Sequence, residues 1–243
     1  MMTKAILFSW LALVTLLGTP TWDKAPERWD LKDVYRILQD SPWSPAESKL
    51  VEGEFAPGEV DPLTGVIRDR SNPNPTARPV PGIRLHHNKG QPAIPVLWWS
   101  SKTICLAVQR LRQLNDPSRP TGPPRVEELP DYVLVIEGSE QLRLFRDANA
   151  DLRDTVFLEL PNGSTLDLAS VQFVEGVERE EPRTEFHFPK LIEGRATLDP
   201  NSERVIFHCK AAAKSPLPSQ GNKLALRAEF KPQAMRVRGV PDL

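Results

Sequence analysis

The chain has few of the residues that usually carry chemistry or cross-links. Its 243 residues include only two cysteines, four histidines and 13 glycines. No C-x-x-C, H-E-x-x-H or G-x-S-x-G sequence occurs, and there is no glycine-rich phosphate loop. The net charge of −1 argues against a general attraction to nucleic acid. The motifs therefore identify no reaction and no cofactor, and no nucleic-acid partner is expected.

Long apolar runs are also absent, except at the N-terminus. Lys4 precedes the apolar run 5–17, which the helix breakers Gly18 and Pro20 follow. This order is typical of a secretory signal peptide, and the run is shorter than the roughly 20 residues of a spanning helix. We predict a signal peptide at residues 1–21 and an exported protein, periplasmic or secreted.

The cleavage site of this leader is poorly defined. Gly18 is small enough to precede the cleaved bond, but Leu16, two residues earlier, is large. The alternative is cleavage after Thr21, with Thr19 two residues earlier, and this pair of residues is no better. If the leader is not cleaved, it is the part of the chain that is expected to contact a membrane.

A short helix between two tryptophans is predicted after the leader, in a cassette at 22–43. Asp30 is a suitable N-cap, apolar residues recur at helical spacing over 30–39, and Ser41-Pro42 ends the pattern. So short a helix is marginal alone, so its apolar face must dock on its own domain or on a partner. The residues expected to make this contact are Trp29, Val34, Leu38 and Trp43.

The rest of the chain divides into an arm and a β-rich domain. Residues 44–92 are rich in proline, which predicts a linker or an extended arm. In the domain at 93–243, a helix is predicted over 101–114, where apolar residues follow the 3.6-residue period and a serine precedes them. Apolar or alternating segments predict strands at 94–99, 132–136, 141–145, 155–160, 166–173, 184–188, 204–209, 223–231 and 235–237.

The strand pattern predicts the fold class. Pro161-Asn162-Gly163-Ser164 is a hairpin turn signal, and the inward parity changes at Ala169-Ser170, which indicates a bulge or break. Short strands at regular spacing favour an antiparallel arrangement. We predict a mainly β fold, an antiparallel β-sandwich or open barrel, with one packing helix at 101–114 and a short N-terminal helix at 30–39.

Three pairs of residues are candidates for chemistry or binding. His187 and His208 have the outward parity of two strands and could share zinc with a carboxylate if those strands are neighbours; scattered surface histidines are the alternative. Cys105 and Cys209 could form one bridge in an oxidising compartment, or remain buried free thiols. Trp98 and Trp99 alternate on a strand, so one should enter the core while the other faces out and could stack on a sugar or a partner proline.

The cassette W-D-x-K-D-x-x-x-I-L-x-D-S-P-W, from Trp29 to Trp43, resembles that of a group of uncharacterised bacterial exported proteins. In that group a tryptophan-flanked helix precedes a β-rich domain. Trp99-Ser100 and the segment from Tyr132 to Gly138 add weaker similarity. The resemblance implies an envelope or secreted location and supplies no activity.

The resulting hypothesis is a non-enzymatic binding or assembly protein of the bacterial cell envelope. Its expected partner is an envelope protein or a glycan. The alternative is a secreted hydrolase or metal-dependent enzyme with an unrecognised site around His187 and His208.

Overall fold

The computed structural model describes residues 19–45, 49–52, 94–117, 128–148, 151–176, 181–212 and 223–243. Residues 1–18 of the predicted leader and 53–92 of the predicted arm lie outside this part of the chain. The α-helices are α1 (Leu31–Gln39), α2 (Lys102–Asn115) and α3 (Ser139–Arg146). The strands are β1 (Lys49–Glu52), β2 (Val96–Trp98), β3 (Asp131–Glu137), β4 (Val156–Glu159), β5 (Thr165–Asp167), β6 (Ser170–Val174), β7 (Arg183–Pro189), β8 (Leu191–Ile192), β9 (Arg195–Ala196), β10 (Val205–Ala212), β11 (Lys223–Phe230), β12 (Arg236–Val237) and β13 (Val240–Pro241).

Two antiparallel sheets pack face to face. Their strand orders are β1-β11-β10-β4-β5 and β2-β3-β7-β6. Phe186 and Phe188 of β7 lie 5.5 Å and 6.3 Å from the ring of Phe207 on β10, and Trp98 of β2 lies 5.0 Å from Phe230 on β11. These aromatic contacts join the inner faces of the two sheets, so the core lies between them. The predicted mainly β, antiparallel fold is confirmed.

The break predicted at Ala169-Ser170 is the point where the chain changes sheets. β5 pairs with β4 in the first sheet, whereas β6 pairs with β7 in the second. Leu166 and Leu168 are buried before the break, and Val171 packs against the same core after it. A change of inward parity is the sequence pattern of such a crossing, because the chain meets the core from the opposite side.

Both predicted helices form, and each begins directly after its capping residue, Asp30 or Ser101. In α1, the Asp30 carboxylate accepts a hydrogen bond from Asp33 N at 2.8 Å, and the Asp33 carboxylate accepts one from Asp30 N at 3.4 Å. This reciprocal capping box fixes the first turn. In α2, Ser101 Oγ accepts from Ile104 N at 3.1 Å. The apolar faces of α1 and α2 pack against each other.

The predicted strand at 141–145 is wrong, because these residues belong to α3. Leu142 and Phe145, three residues apart, are both buried, whereas Leu144 is only half-buried. The helical spacing of the first pair therefore overrides the strand-like alternation of Leu142 and Leu144. Gly138, with φ of 123°, turns the chain from β3 directly into this helix, a conformation that L side chains rarely adopt.

One edge strand, β1, lies within the segment predicted as a proline-rich arm. It pairs antiparallel with β11 and extends the first sheet. None of the helices in the described part of the chain is long and apolar enough to cross a membrane.

Candidate functional site

Five of the six candidate binding residues are buried inside the chain itself. Trp29, Val34, Leu38, Trp43 and Trp98 are each at most 6% exposed. The cassette thus docks on its own domain, one of the two alternatives that its amphipathic pattern left open. These side chains stabilise the fold, and in this structure they offer no surface to a partner.

Trp43 is the centre of this docking. Its indole Nε1 donates to the main-chain oxygen of Asp242 at 2.6 Å, and its own carbonyl accepts from Trp98 N at 2.8 Å. The Trp22 ring packs edge-on against it, with centroids 5.5 Å apart. Trp43 therefore joins the N-terminal cassette to β2 and to the C-terminal residues.

Trp99 is the one candidate tryptophan that is half-buried. The Arg183 guanidinium lies 4.8 Å from the centroid of its ring, in a cation–π contact. Arg183 Nε also donates to Glu185 Oε1 at 2.7 Å, which fixes the guanidinium. One face of the Trp99 ring is thus already occupied, so this ring is less suited to stacking on a sugar than its position in the sequence suggests.

The two candidate histidines lie on different sheets, so the condition for a shared zinc site is not met. His187 is on β7 in the second sheet and His208 is on β10 in the first. Both have outward parity and so lie on opposite outer faces of the sandwich. Among the described residues, no group of three or more His, Cys, Asp or Glu side chains could hold a metal ion.

Each histidine instead pairs with carboxylates of its own sheet. His208 Nε2 lies 2.9 Å from Glu159 Oε2, and its ring stacks on Phe157 with centroids 4.8 Å apart. His187 lies between Asp131 and Glu185, with both nitrogen–oxygen distances at 3.6 Å. The His208–Glu159 contact links β10 to β4, and the His187–Asp131 pair links β7 to β3. The buried Nε2 of His187, however, has no hydrogen-bond partner among the described residues.

The pairing of β3 with β7 creates a row of charges that the sequence did not reveal. Glu137 lies opposite Arg183, and Glu185 and His187 follow along the same outward face. Burial raises the pKa of Glu137, while the nearby Arg183 partly offsets that rise. The opposite charges of Glu137 and Arg183 face each other across the two strands, as in stabilising cross-strand pairs. The partners are distant in sequence, so only the strand register could reveal them.

The two cysteines are free thiols, which decides between the bridge and the alternative of buried thiols. Cys105 is half-buried on α2, where its Sγ donates to Trp99 O at 3.4 Å. Cys209 is fully buried on β10. Burial raises the pKa of both thiols, and the Asp242 carboxylate adds to the rise at Cys105. A raised pKa leaves less of each thiol in the reactive thiolate form at neutral pH.

We expect both thiols to react poorly with thiol reagents in the folded protein. A disulfide-exchange reagent at pH 7 should label Cys105 slowly and Cys209 not at all, because the thiolate is the reactive form. In denaturant, both should be labelled without prior reduction. A matched sample treated with reductant provides the control, and a higher thiol count in that sample would show that a bridge exists.

A projecting hairpin carries the most exposed pair of apolar side chains in the described residues. Leu191 and Ile192 of β8 are 62% and 52% exposed. The turn at Glu193-Gly194 has φ of 50° and 76°, the left-handed backbone of a tight two-residue hairpin. At the base, Thr197 N donates to Lys190 O at 3.0 Å. A tightly bonded hairpin therefore holds two aliphatic side chains in solvent.

A shallow cavity of about 240 Å³ lies next to the base of this hairpin. It is lined by the β4–β5 turn and by the segment after β9, including Leu160, Asn162, Thr197, Leu198 and Ser202. A second hairpin, β12–β13, is tied to the same segment because Arg236 donates to Asn201 Oδ1 at 2.6 Å. We call the β8–β9 hairpin and this cavity the hairpin surface. Exposed loops on a rigid sandwich are where binding residues are usually found.

Comparison with known proteins gives no match: no protein-family model, no curated protein and no solved structure is similar to the chain.

Proposed function

We propose that this chain is an exported, non-enzymatic binding or assembly protein of the bacterial cell envelope, and that it contacts a partner protein through the hairpin surface. The observation that carries the proposal is the exposure of Leu191 and Ile192 side by side on a fixed hairpin. The leader pattern at residues 1–21 supports export, as does the resemblance of the cassette.

The chemistry of the hairpin favours a protein over a glycan as the partner. Burying an exposed leucine or isoleucine contributes roughly 1.5–3 kcal/mol each, which an apolar pocket of a protein can supply. Glycans instead stack on exposed aromatic faces, and the Trp99 ring is covered on one side by Arg183. Arg195 lies opposite Ile192 across the hairpin and Glu193 stands in the turn, so a partner with charges of both signs around its apolar pocket would fit best.

A double substitution tests the binding role. L191S/I192S should weaken capture of the partner at least tenfold, since about 3 kcal/mol or more of apolar burial is lost. Its melting temperature should stay within about 2 °C of wild type, because both side chains are already exposed. The measurement is photo-cross-linking in living cells from a reactive residue placed at position 193, followed by analysis of the cross-linked envelope fraction.

The matched control is L31S, which removes an exposed leucine from α1, an element that is not part of the hairpin surface. It should leave the cross-linked product unchanged. If L191S/I192S also leaves that product unchanged, or if wild type yields no specific product, the hairpin is not the contact surface. Cell fractionation of the same cultures tests export separately.

A further inference from the structure

The residues immediately after the predicted leader belong to the fold. Thr21 is buried, and its carbonyl accepts a hydrogen bond from the indole Nε1 of Trp29 at 3.1 Å. It also accepts from Lys24 N at 3.2 Å, closing a short 3₁₀ turn. Trp29 is itself buried, so loss of this acceptor would leave a buried donor without its partner, which costs about 1–3 kcal/mol.

The next two residues are fixed as firmly. Trp22 packs on Trp43 and is half-buried. The Asp23 carboxylate accepts from Arg238 N at 2.6 Å, and the Asp23 carbonyl accepts from Arg238 Nε at 3.2 Å. The chain is therefore tied to the C-terminal hairpin from this point, whereas Thr19 and Pro20 are exposed.

The two cleavage sites that the sequence leaves open would have different effects on these contacts in the mature fold. Cleavage after Thr21 would remove the acceptor of the Trp29 indole and place a charged ammonium on half-buried Trp22, which burial disfavours. Cleavage after Gly18 would leave all these contacts intact and place the new ammonium on exposed Thr19. Gly18 also supplies the small residue that such a site needs.

We propose that the leader is removed between Gly18 and Thr19, so that the mature chain begins at Thr19. The inference rests on the proposed export. The reaction is hydrolysis by an envelope signal-processing protease: water adds across the amide bond, Gly18 gains the carboxylate and Thr19 gains the α-amino group. The exposed Thr19-Pro20 dipeptide then remains as a short free end before the first buried residue.

To test the inference, the full chain is expressed in a bacterium with its own leader and a C-terminal tag. The tagged protein is purified from each cell fraction, and its N-terminus is read by intact mass and by N-terminal sequencing. An exported product that begins at Thr19 is expected. An exported product that begins at Trp22 or later, or that retains the leader, overturns the inference while leaving export in place. A full-length chain found only in the cytosol overturns the proposed export.

Two substitutions sharpen the assignment. Gly18→Leu places a bulky residue before the cleaved bond and should reduce processing at least tenfold, so that the precursor accumulates. Thr21→Val is the matched control. It changes the polarity but hardly the volume of the side chain at the rejected site, and it preserves the main-chain carbonyl. It should leave processing at Gly18 unchanged. Loss of processing in Thr21→Val alone would assign the site to Thr21 and overturn the inference.

Discussion

Replacing Trp43 with alanine is expected to lower the free energy of unfolding by about 4 kcal/mol, the range of large-to-small core substitutions at tryptophan. The side chain is fully buried, so the change opens a cavity between the cassette and the second sheet. It also removes the donor to Asp242 O and the edge-on contact with Trp22. Chemical denaturation of the purified protein, followed by intrinsic fluorescence and by far-UV circular dichroism, measures the loss.

Two further variants make this result specific. Trp43→Phe keeps most of the volume but cannot donate to Asp242, so it should lose about half as much stability. Tyr35→Ala changes the exposed face of α1, the helix that precedes Trp43 in the cassette, and should alter stability by less than about 0.5 kcal/mol. If Trp43→Ala matched Tyr35→Ala, the cassette would contribute nothing to the fold, contrary to the contacts described above.

Local signals were enough to predict the capped helices and most strands. Asp30 and Ser101 each stand at the N-cap, and their side chains make the expected hydrogen bonds. The continuous apolar segment Tyr132–Ile136 is buried throughout and lies in the interior strand β3. Such features depend on neighbours a few residues away, which a single sequence contains in full.

The wrong predictions fall where tertiary contacts determine the local structure. Leu142 and Leu144 fit a strand as well as Leu142 and Phe145 fit a helix, and the packing of Phe145 on Phe186, 5.2 Å apart, selects the helix. Likewise, the outward parity of His187 and His208 was read correctly, but parity does not tell which sheet a strand joins. The tryptophans were recognised as docking residues, yet only the structure shows that they dock on their own chain.

The sequence pattern does not reveal the hairpin surface, for a related reason. Leu191 and Ile192 are adjacent, so neither an alternating nor a helical pattern marks them. Their exposure results from the short hairpin that projects them, which in turn depends on the Glu193-Gly194 turn. The available signal is Gly194 at the second turn position, two residues after Ile192, and it is weak without knowledge of the strands on either side.

Removing the last two residues, Asp242 and Leu243, is expected to destabilise the fold by about 3 kcal/mol. The Asp242 carboxylate accepts from Lys102 N at 2.8 Å, from Thr103 N at 2.9 Å and from Thr103 Oγ1 at 2.6 Å. It thus caps the N-terminus of α2 from 140 residues away, where a negative charge also interacts favourably with the helix dipole. Deletion removes this cap together with the acceptor of the Trp43 indole.

A graded series separates these contributions. Asp242→Asn keeps an acceptor oxygen and the main chain but loses the charge, so about 1 kcal/mol should be lost; Asp242→Ala also loses the cap, about 2 kcal/mol in total. The deletion should exceed both, because only it removes the Asp242 carbonyl. Denaturation midpoints of the three variants measure this order. Equal losses for Asp242→Ala and the deletion would mean that the bond from Trp43 contributes nothing, whereas the predicted order would show that the N-terminal cassette, α2 and the C-terminus stabilise the fold as one connected unit.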